Sequence, residues 1–489
     1  MNSNKPPLYK KIKTPLNYYI YDTWTNEILK VDPAVFDYLD DTDPPVIPNF
    51  PNVDENYLAT TEEIETAKKN GYFNMDYPSI DSFPKENIDL LIDNMVKEGP
   101  DLLILNITEQ CNLRCKYCAY SGAYVYNRTH SNKRMNRDTA YKAVNWYLGH
   151  SERSEYHFGF YGGEPLLSFP LIREIVDFVK EKTGDHSEFN ITTNGTLLND
   201  KVCRFLIDQN IHVLISLDGP AEVHDRYRNN SKNQGTFSIV WDGISRLWNM
   251  NRDFFEKNVL FNMVLAPPQR IKEIQDFILA NPDVFRKNSI TISSLNPQPS
   301  NVMEHMGISN QDCLDTEGQA NWIRQKYIQE LTESACPDEF TSAYYNRQFV
   351  FIHQRSMTTM AKTVASHGQC IPGGRKCFIS SDGKMYMCER VNYSRQIGSV
   401  ETGIDRSAVE QLLREYNDFF KNKCSDCWAV RLCQKCYNNV SRGEAFSPEE
   451  LEIFCSSRRN SLQRALTTYC EIREINNNAF DWAEEIVLK

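Results

Sequence analysis

The chain has 489 residues, a length that predicts two or three domains, and 41% of the residues are hydrophobic, enough to bury their cores. The 54 basic and 65 acidic residues give a formal net charge of -11 without a long basic run, which argues against nucleic acid as a partner. No segment approaches about 18 apolar residues, and no apolar signal core follows the polar N-terminus, so we expect neither membrane insertion nor export, and a cytoplasmic protein.

The first elements along the chain belong to a small N-terminal unit. Apolar and polar residues alternate from Tyr18 to Leu29 around a polar turn, which predicts a β-hairpin. Asp32 and Pro33 then suit the N-cap and the first position of a helix. A second helix is expected from about Thr61 to Asn70, after a proline-rich acidic loop over residues 40–56.

The middle of the chain, from about residue 101 to residue 295, alternates short apolar strands with amphipathic helices. This pattern is typical of a parallel sheet built from βα units, and six units can be counted. The predicted strands are Leu102 to Thr108, Tyr156 to Tyr161, Glu188 to Thr193, His212 to Leu217, Val259 to Leu265 and Ser289 to Ser294.

Unusual residues follow the first four of these strands. They are the run CNLRCKYC, the turn Gly162-Gly163-Glu164-Pro165, the turn Asn194-Gly195-Thr196 and the turn Asp218-Gly219-Pro220. Glycine and Asn or Asp are ordinary turn residues, so each turn alone has a structural explanation. In parallel α/β barrels, however, the loops after the strands build the active site, and these four lie together there.

The run CNLRCKYC supplies three thiolates, Cys111, Cys115 and Cys118, from one tight loop. Three thiolates on a four-iron cubane leave one iron open for an exogenous ligand. The alternative is a structural zinc site, but zinc prefers four protein ligands, and the nearest following histidine is His130. An iron–sulfur cluster is therefore the preferred interpretation.

The CxxxCxxC spacing, with Tyr117 before the last cysteine, resembles the signature of the radical S-adenosylmethionine (SAM) enzymes. The resemblance implies a partial (β/α)6 barrel of the TIM type. It also implies that SAM chelates the open iron and is cleaved to a 5′-deoxyadenosyl radical, which removes a hydrogen atom from the substrate.

The same resemblance implies the residues that contact SAM. The GGE turn resembles the family motif that receives the SAM amino group, and the segments TNGTLL and SLDGPAEVHDRYR resemble those of peptide-modifying members. The cofactor-binding residues so implied are Tyr117, Gly162, Gly163, Glu164, Asn194, Ser216, Arg228 and Leu295.

Eight further cysteines lie between residues 370 and 455, and eight thiolates would fill two four-iron clusters. The string CSDCWAVRLCQKC with its flanking cysteines resembles the SPASM extension of peptide-modifying radical SAM enzymes. That pattern implies one auxiliary cluster on Cys370, Cys377, Cys388 and Cys436, and another on Cys424, Cys427, Cys433 and Cys455. A zinc ribbon built from the two CxxC pairs is the alternative.

The four remaining cysteines, Cys203, Cys313, Cys336 and Cys470, are expected to be structural. Glu389 follows a predicted ligand directly and occupies the place where sulfatase-maturing relatives carry an Asp proposed as substrate base. It is the candidate catalytic residue, although Glu in place of Asp makes that role uncertain.

The predicted domains are residues 1–95, 96–300, 301–369 and 370–489. The first resembles the small winged-helix domain that captures a leader peptide on a strand edge, and a packing extension of the barrel is the alternative. The second is the radical SAM barrel, the third a helical bridge, and the fourth the SPASM domain with a C-terminal helix.

The resemblance implies three [4Fe-4S] clusters, SAM, a reductant such as flavodoxin or ferredoxin, and a ribosomally made precursor peptide as substrate. A thioether from a cysteine sulfur to a carbon is the leading product. Carbon–carbon crosslinking and formylglycine formation in a sulfatase are the alternatives. A non-enzymatic electron carrier or zinc protein would leave the three-cysteine loop and the GGE turn unexplained.

Overall fold

The computed structural model describes residues 6–39, 55–81, 84–124, 126–286, 289–295, 301–333, 336–365 and 370–487. Most of the predicted proline-rich loop, residues 40–54, lies outside the described residues.

The N-terminal unit is a three-stranded antiparallel sheet followed by two helices. The predicted hairpin is confirmed, with Tyr21 paired to Ile28 across its two strands. Asp32 stands at the N-cap of the first helix with Pro33 behind it, but its side chain makes no capping hydrogen bond. The second helix begins at Glu55, six residues earlier than predicted, because the stretch before Thr61 contains no helix breaker. The elements are β1 (Tyr9–Lys13), β2 (Tyr18–Asp22), β3 (Glu27–Val31), α1 (Pro33–Tyr38) and α2 (Glu55–Lys69).

After a short strand and a helix, β4 (Ser79–Ile80) and α3 (Lys85–Glu98), the six predicted strands form one parallel array in chain order. Their predicted bounds hold to within one residue. Parallel strands buried on both faces need helical crossovers, and helices lie between them as expected. The strands are β5 (Leu102–Thr108), β6 (Tyr156–Gly162), β7 (Ser187–Thr193), β8 (His212–Ser216), β9 (Val259–Leu265) and β10 (Ile290–Ser294).

The crossover helices bury the apolar faces predicted from their three- and four-residue spacing. In the helix after β6, for example, Ile172, Ile175, Val176 and Val179 are all buried. The helices are α4 (Arg137–Gly149), α5 (Phe169–Thr183), α6 (Asp200–Asp208), α7 (Ala221–Tyr227), α8 (Phe237–Met250), α9 (Arg252–Asn258) and α10 (Ile271–Leu279).

Three helices and a short strand connect this array to the C-terminal part. They are α11 (Val302–Met306), α12 (Asn310–Thr332), α13 (Glu339–His353) and β11 (Thr363–Val364).

The first four strands of the C-terminal cysteine-rich segment join the sheet of the parallel array and, among the described residues, only its last two strands form a small separate pair. Its first strand pairs in parallel with β5, with Cys377 opposite Leu103, and three antiparallel strands continue the same sheet to a total of ten. The added strand covers the edge that β5 would otherwise expose. The elements are β12 (Lys376–Ile379), β13 (Lys384–Tyr386), β14 (Gly398–Ser399), β15 (Gly403–Ile404), α14 (Arg406–Cys424), β16 (Ser441–Arg442), β17 (Ala445–Phe446) and α15 (Pro448–Ile475).

A second buried core joins the two ends of the chain. Ile12 and Tyr21 of the N-terminal sheet pack in it with Phe349 of α13, Leu466 of α15 and Phe480. The N-terminal unit therefore rests on the C-terminal helix. Within the described ranges, no helix has the length and apolarity needed to cross a membrane.

Candidate active site and cluster sites

The three-cysteine loop leaves the carboxyl end of β5 and is anchored to the segment that follows α7. The amide of Arg114 donates to the carbonyl of Asn229 at 2.6 Å, and the amide of Lys116 donates to the carbonyl of Tyr227 at 3.0 Å. These bonds hold the loop at the end of the sheet where an active site was predicted.

The cysteine sulfurs of this loop accept backbone hydrogen bonds. The amide of Leu113 donates to Cys111 Sγ and the amide of Tyr120 donates to Cys118 Sγ, each at 3.4 Å. Burial raises the pKa of Cys111 and of Cys115 to about 12 and raises that of Cys118, and the neighbouring thiolate charges raise the first two further. Buried thiols that repel one another as anions need a cation among them, so this donor set fits an iron–sulfur cluster.

Within the part of the chain that the structure describes, no group of three or more His, Cys, Asp or Glu side chains is arranged to hold a single metal ion. The thiolates of a cluster bind different irons, so they do not have to converge on one point.

The GGE turn lies against the start of the cysteine loop. The amide of Gly163 donates to the carbonyl of Thr108 at 2.7 Å, and the amide of Glu164 donates to the carbonyl of Gln110 at 2.8 Å. A Cβ on Gly163 would stand 2.2 Å from the Gln110 carbonyl oxygen, and Gly162 has a φ of +148° with equally little space. Both glycines are therefore required for this close backbone approach.

Glu164 is fully buried, and its carboxylate accepts three hydrogen bonds from the protein. The donors are the amide of Asn194 at 2.7 Å, the hydroxyl of Thr193 at 2.8 Å and the amide of Leu166 at 3.1 Å. Burial raises the pKa of Glu164 to about 7, although these bonds oppose the shift. The carboxylate therefore holds the loop after β7 in place. Its contact with the SAM ammonium stays a prediction.

Asn194 contacts the cysteine loop directly. Its side-chain amide donates to Asn112 Oδ1 at 2.9 Å and lies 3.7 Å from Cys111 Sγ. The loops after β5, β6 and β7 are therefore brought together, as the positions of their unusual residues predicted.

A buried ion pair follows β8. Arg228 Nε donates to Asp218 Oδ2 at 2.9 Å, the hydroxyl of Tyr117 donates to the same oxygen, and the amide of Val264 donates to Oδ1 at 3.0 Å. The Arg228 guanidinium also lies 5.3 Å from the centre of the Tyr117 ring. Asp218, which sequence reasoning treated as a turn residue, thus fixes both Tyr117 and Arg228.

Two further residues that the resemblance implied to contact SAM, Leu295 and Ser216, lie near this pair. Leu295 packs in a small cluster that contains Tyr117, Tyr227 and Ala266. Ser216 ends β8 opposite Asn262 of β9. Their contacts with SAM stay predictions.

The C-terminal cysteines fall into two groups. Cys424, Cys427, Cys433 and Cys455 line one cavity, and their thiolate charges act on one another. This is the four-cysteine set that the SPASM pattern implied, and its donor chemistry fits a fully ligated cluster. Lys435, Arg458 and Arg459 line the same cavity.

In the other implied set of four cysteines, only three interact with one another. The charge of Cys370 acts on Cys436, and that of Cys436 acts on Cys388. Cys377 is buried in β12, where burial alone raises its pKa to about 12. Its membership in this set stays a prediction.

Among the four cysteines left without a ligand role, Cys203 and Cys470 are buried as expected for packing residues, whereas Cys313 and Cys336 are exposed and therefore do not pack in a core.

Glu389 lies between the cysteine loop and this second set. Its Oε1 accepts from Lys376 Nζ at 2.8 Å, and its Oε2 is buried without a hydrogen-bond partner among the described residues. Burial acts to raise the pKa of Glu389, but the adjacent Lys376 ammonium holds it below the ordinary value. Glu389 is therefore a carboxylate with one unused oxygen.

Arg128 connects the cysteine loop to Glu389. Its guanidinium donates to the backbone carbonyl of Glu389 and lies 4.8 to 4.9 Å from the ring centres of Tyr120, Phe378 and Tyr393. Arg128 is buried, and its Nε has no hydrogen-bond partner among the described residues. No sequence motif pointed to Arg128, which is one of several arginines in the long segment between β5 and α4.

Buried polar atoms without partners among the described residues cluster around Arg128. They are Asn106 Oδ1, Tyr120 Oη, Arg128 Nε and Glu389 Oε2. Unsatisfied buried polar groups are costly, so a concentration of them indicates a place that receives a polar ligand. We call these four residues the polar chamber.

Comparison with known proteins agrees with this site. Residues 105–280 match the family model described as the radical SAM superfamily. The chain is 25% identical over 371 residues to a cysteine-type anaerobic sulfatase-maturating enzyme of Clostridium novyi (strain NT), covering 74% of this chain and 93% of that enzyme. It is 28% identical over 134 residues to a radical SAM cyclopropyl synthase of Paramaledivibacter caminithermalis, covering 26% of this chain and 28% of the synthase.

The solved structure of anSMEcpe with bound AdoMet is similar in fold. It has a TM-score of 0.56 and 17% sequence identity, and the match covers 79% of this chain and 100% of that one.

Residues 105–280 form a radical SAM domain, and the chain is an enzyme homologous to others that carry such a domain. It is homologous to the anaerobic sulfatase-maturating enzymes and to radical SAM enzymes that modify ribosomally made peptides. A [4Fe-4S] cluster and SAM are the cofactors that such a domain implies, and the three-cysteine loop described above is the fitting site.

Proposed function

We propose that this enzyme closes a thioether bond between a cysteine sulfur and a carbon atom within a ribosomally made precursor peptide. The observation that carries the proposal is the polar chamber, which adjoins the three-cysteine loop through Arg128, includes Glu389, and has unused donors and acceptors for a peptide segment. When bound, the cluster and SAM supply a 5′-deoxyadenosyl radical that removes one hydrogen atom from a substrate carbon.

The rest of the bond formation requires the loss of a proton and an electron from the thiol and carbon that are joined. Glu389 Oε2 is the free acceptor for the proton, because Lys376 occupies the other oxygen. Cys388 would be one ligand of an auxiliary cluster beside Glu389, and such a cluster would supply an acceptor for the electron. Arg128 holds the backbone of Glu389 in place and its aromatic neighbours exclude water from the chamber.

The N-terminal sheet is our proposed site for the leader part of the precursor. Among the described residues, strand β3 pairs with β2 on one side only, and β1, at the opposite edge, packs against α15. The free edge of β3 offers backbone groups for strand addition, a mode that binds extended peptides with little regard to sequence. About a quarter of this chain is outside the alignment with the maturase, which leaves room for such an added unit.

Formylglycine formation in a sulfatase is the second candidate. Two observations favour it: the alignment covers 93% of a cysteine-type maturase, and Glu389 is an acidic residue directly after a predicted cluster ligand. Both reactions begin with the same hydrogen abstraction, so the cofactor loops do not separate them.

The test presents both substrates to the anaerobically reconstituted enzyme. One is the small cysteine-containing peptide encoded beside the gene, and the other is a sulfatase-derived peptide with its target cysteine. Loss of two hydrogens together with loss of an alkylatable thiol in the first peptide supports the thioether. Loss of two hydrogens with every thiol free assigns a carbon–carbon crosslink, and a product that reacts with a hydrazine in the second peptide assigns formylglycine.

A further inference from the structure

We propose that Lys435, Arg458 and Arg459 form a positive shell that would raise the reduction potential of a cluster held by Cys424, Cys427, Cys433 and Cys455. The inference rests on the proposed function, since it concerns the electron that the substrate loses. It assigns a redox-tuning role to side chains that lie beside the cysteines and do not belong to the ligand set.

Lys435 is the central residue of the shell. It lies in the two-residue gap between Cys433 and Cys436, is 3% exposed, and its Nζ is 3.1 Å from Cys424 Sγ. Its ammonium also lies 4.8 Å from the centre of the Phe420 ring. No carboxylate in the described part of the chain lies within 4.0 Å of it, so its charge is directed at the sulfur without neutralisation.

Two arginines of α15 add to this charge. Arg459 donates a hydrogen bond to Cys427 and its charge also acts on Cys455, while the charge of Arg458 acts on Cys433. The Nε of Arg458 is buried without a hydrogen-bond partner among the described residues. Arg458 is half-buried, and an unused, buried N–H on such a cation beside a thiolate site is explained if a negatively charged group occupies that site.

The electrostatic surroundings of the other cysteine set are different. Glu389 follows Cys388 directly, and its carboxylate charge acts on both Cys388 and Cys436. Lys376, paired with this carboxylate at 2.8 Å, offsets part of that charge, and no cation of this site contacts a cysteine sulfur as Lys435 does among the hydrogen bonds of the described residues. Reduction adds one negative charge to a cluster, so nearby cations and hydrogen bonds to sulfur raise the reduction potential and nearby carboxylates lower it. A cluster on the Lys435 side would therefore have a higher reduction potential than one on the Glu389 side.

The experiment measures reduction potentials rather than turnover. The background is the Cys111→Ala, Cys115→Ala, Cys118→Ala variant, reconstituted with iron and sulfide, so that the signals seen by electron paramagnetic resonance come from the auxiliary sites alone. In it, Lys435→Met keeps the length and loses the charge. For one of the two signals, we expect the ratio of reduced to oxidised cluster at a fixed potential to fall at least tenfold. This corresponds to a reduction potential lower by about 59 mV for one electron.

Lys423→Met is the matched control. Lys423 lines the same cavity, but its ammonium is paired with Glu452 at the surface, so its loss is expected to leave both potentials in place. Arg459→Gln is the second test variant and is expected to shift the same signal in the same direction, which covers the case in which Lys435→Met fails to bind iron.

Three outcomes would overturn the inference. The first is unchanged potentials in both Lys435→Met and Arg459→Gln, and the second is an equal shift in Lys423→Met. The third is the absence of a cluster at this site in the parent protein. These outcomes are independent of whether the wild-type enzyme makes a thioether, because the product assay uses the intact enzyme and the potentials are measured without substrate.

Discussion

Replacing Asp218 by Asn tests the buried ion pair between Asp218 and Arg228. Both oxygens of Asp218 accept hydrogen bonds, Oδ2 from Arg228 and Tyr117, and Oδ1 from the Val264 amide. Asn has the same shape but one oxygen only, so either orientation turns its NH2 group toward an existing donor. The substitution also leaves the buried Arg228 charge without its counter-charge.

The magnitude follows from the geometry. At 2.9 Å and an effective dielectric constant of about 20, the Coulomb energy of the pair is about 6 kcal/mol. Removing one partner of such a buried pair has a net cost of about 3 to 5 kcal/mol. At about 2 to 4 °C per kcal/mol for a domain of this size, the midpoint of thermal unfolding of Asp218→Asn is expected to fall by about 6 to 20 °C.

The assay is thermal unfolding followed by circular dichroism, under anaerobic conditions and at matched iron content. Asp242→Asn is the control, because Asp242 is exposed on α8 and a surface substitution is expected to change stability by no more than about 0.5 kcal/mol. A fall of less than about 2 °C in Asp218→Asn, equal to that of the control, would refute the reasoning that this pair is buried and uncompensated.

Four further predictions follow from the site. Gly163→Ala is expected to lower the iron content of a protein whose auxiliary cysteines are intact, because the Cβ of the alanine would meet the Gln110 carbonyl. Iron analysis measures this, and an unchanged iron content would contradict the close approach. Because the folded-state pKa of Glu164 is raised to about 7, the free energy of unfolding should fall as pH rises from about 4.5 to about 7. Glu164→Gln should flatten that pH dependence in denaturant titrations. An equal slope in both proteins would count against this prediction. Glu389→Gln should keep SAM cleavage but lower product per 5′-deoxyadenosine by at least about tenfold, as expected for a lost proton acceptor, and equal losses of both would exclude that role. Proline substitutions along residues 28–30 of β3 should weaken leader-peptide binding in fluorescence anisotropy without changing SAM cleavage, whereas unchanged binding would assign the leader to another surface.

Much of the parallel array could be predicted because its pattern is local. Each strand is a short apolar run, each crossover helix has a three- and four-residue stripe, and strand order in a βα array follows chain order. The meeting of the cysteine loop with the Gly163 and Asn194 turns follows from the same rule, since the carboxyl ends of neighbouring parallel strands lie together.

The parts that could not be predicted depend on contacts distant in sequence. The pairing of β12 with β5 joins residues 376–379 to residues 102–105, and no short pattern encodes it. Asp218 was taken as a turn residue because its acceptance of bonds from Tyr117 and Arg228 depends on how two loops pack. Arg128 and Lys435 were missed for a similar reason, since a lone cation in a loop is usually solvated and only burial reveals otherwise.

SAM cleavage by the reconstituted enzyme is the most direct test of the central claim. 5′-Deoxyadenosine is measured after anaerobic incubation with SAM and dithionite, for the wild type and for the variant with Cys111, Cys115 and Cys118 replaced by Ala. We predict 5′-deoxyadenosine from the wild type and none above background from the variant. Equal formation by both proteins, or none by a wild type that has bound its iron, would contradict the assignment of the radical site to this loop.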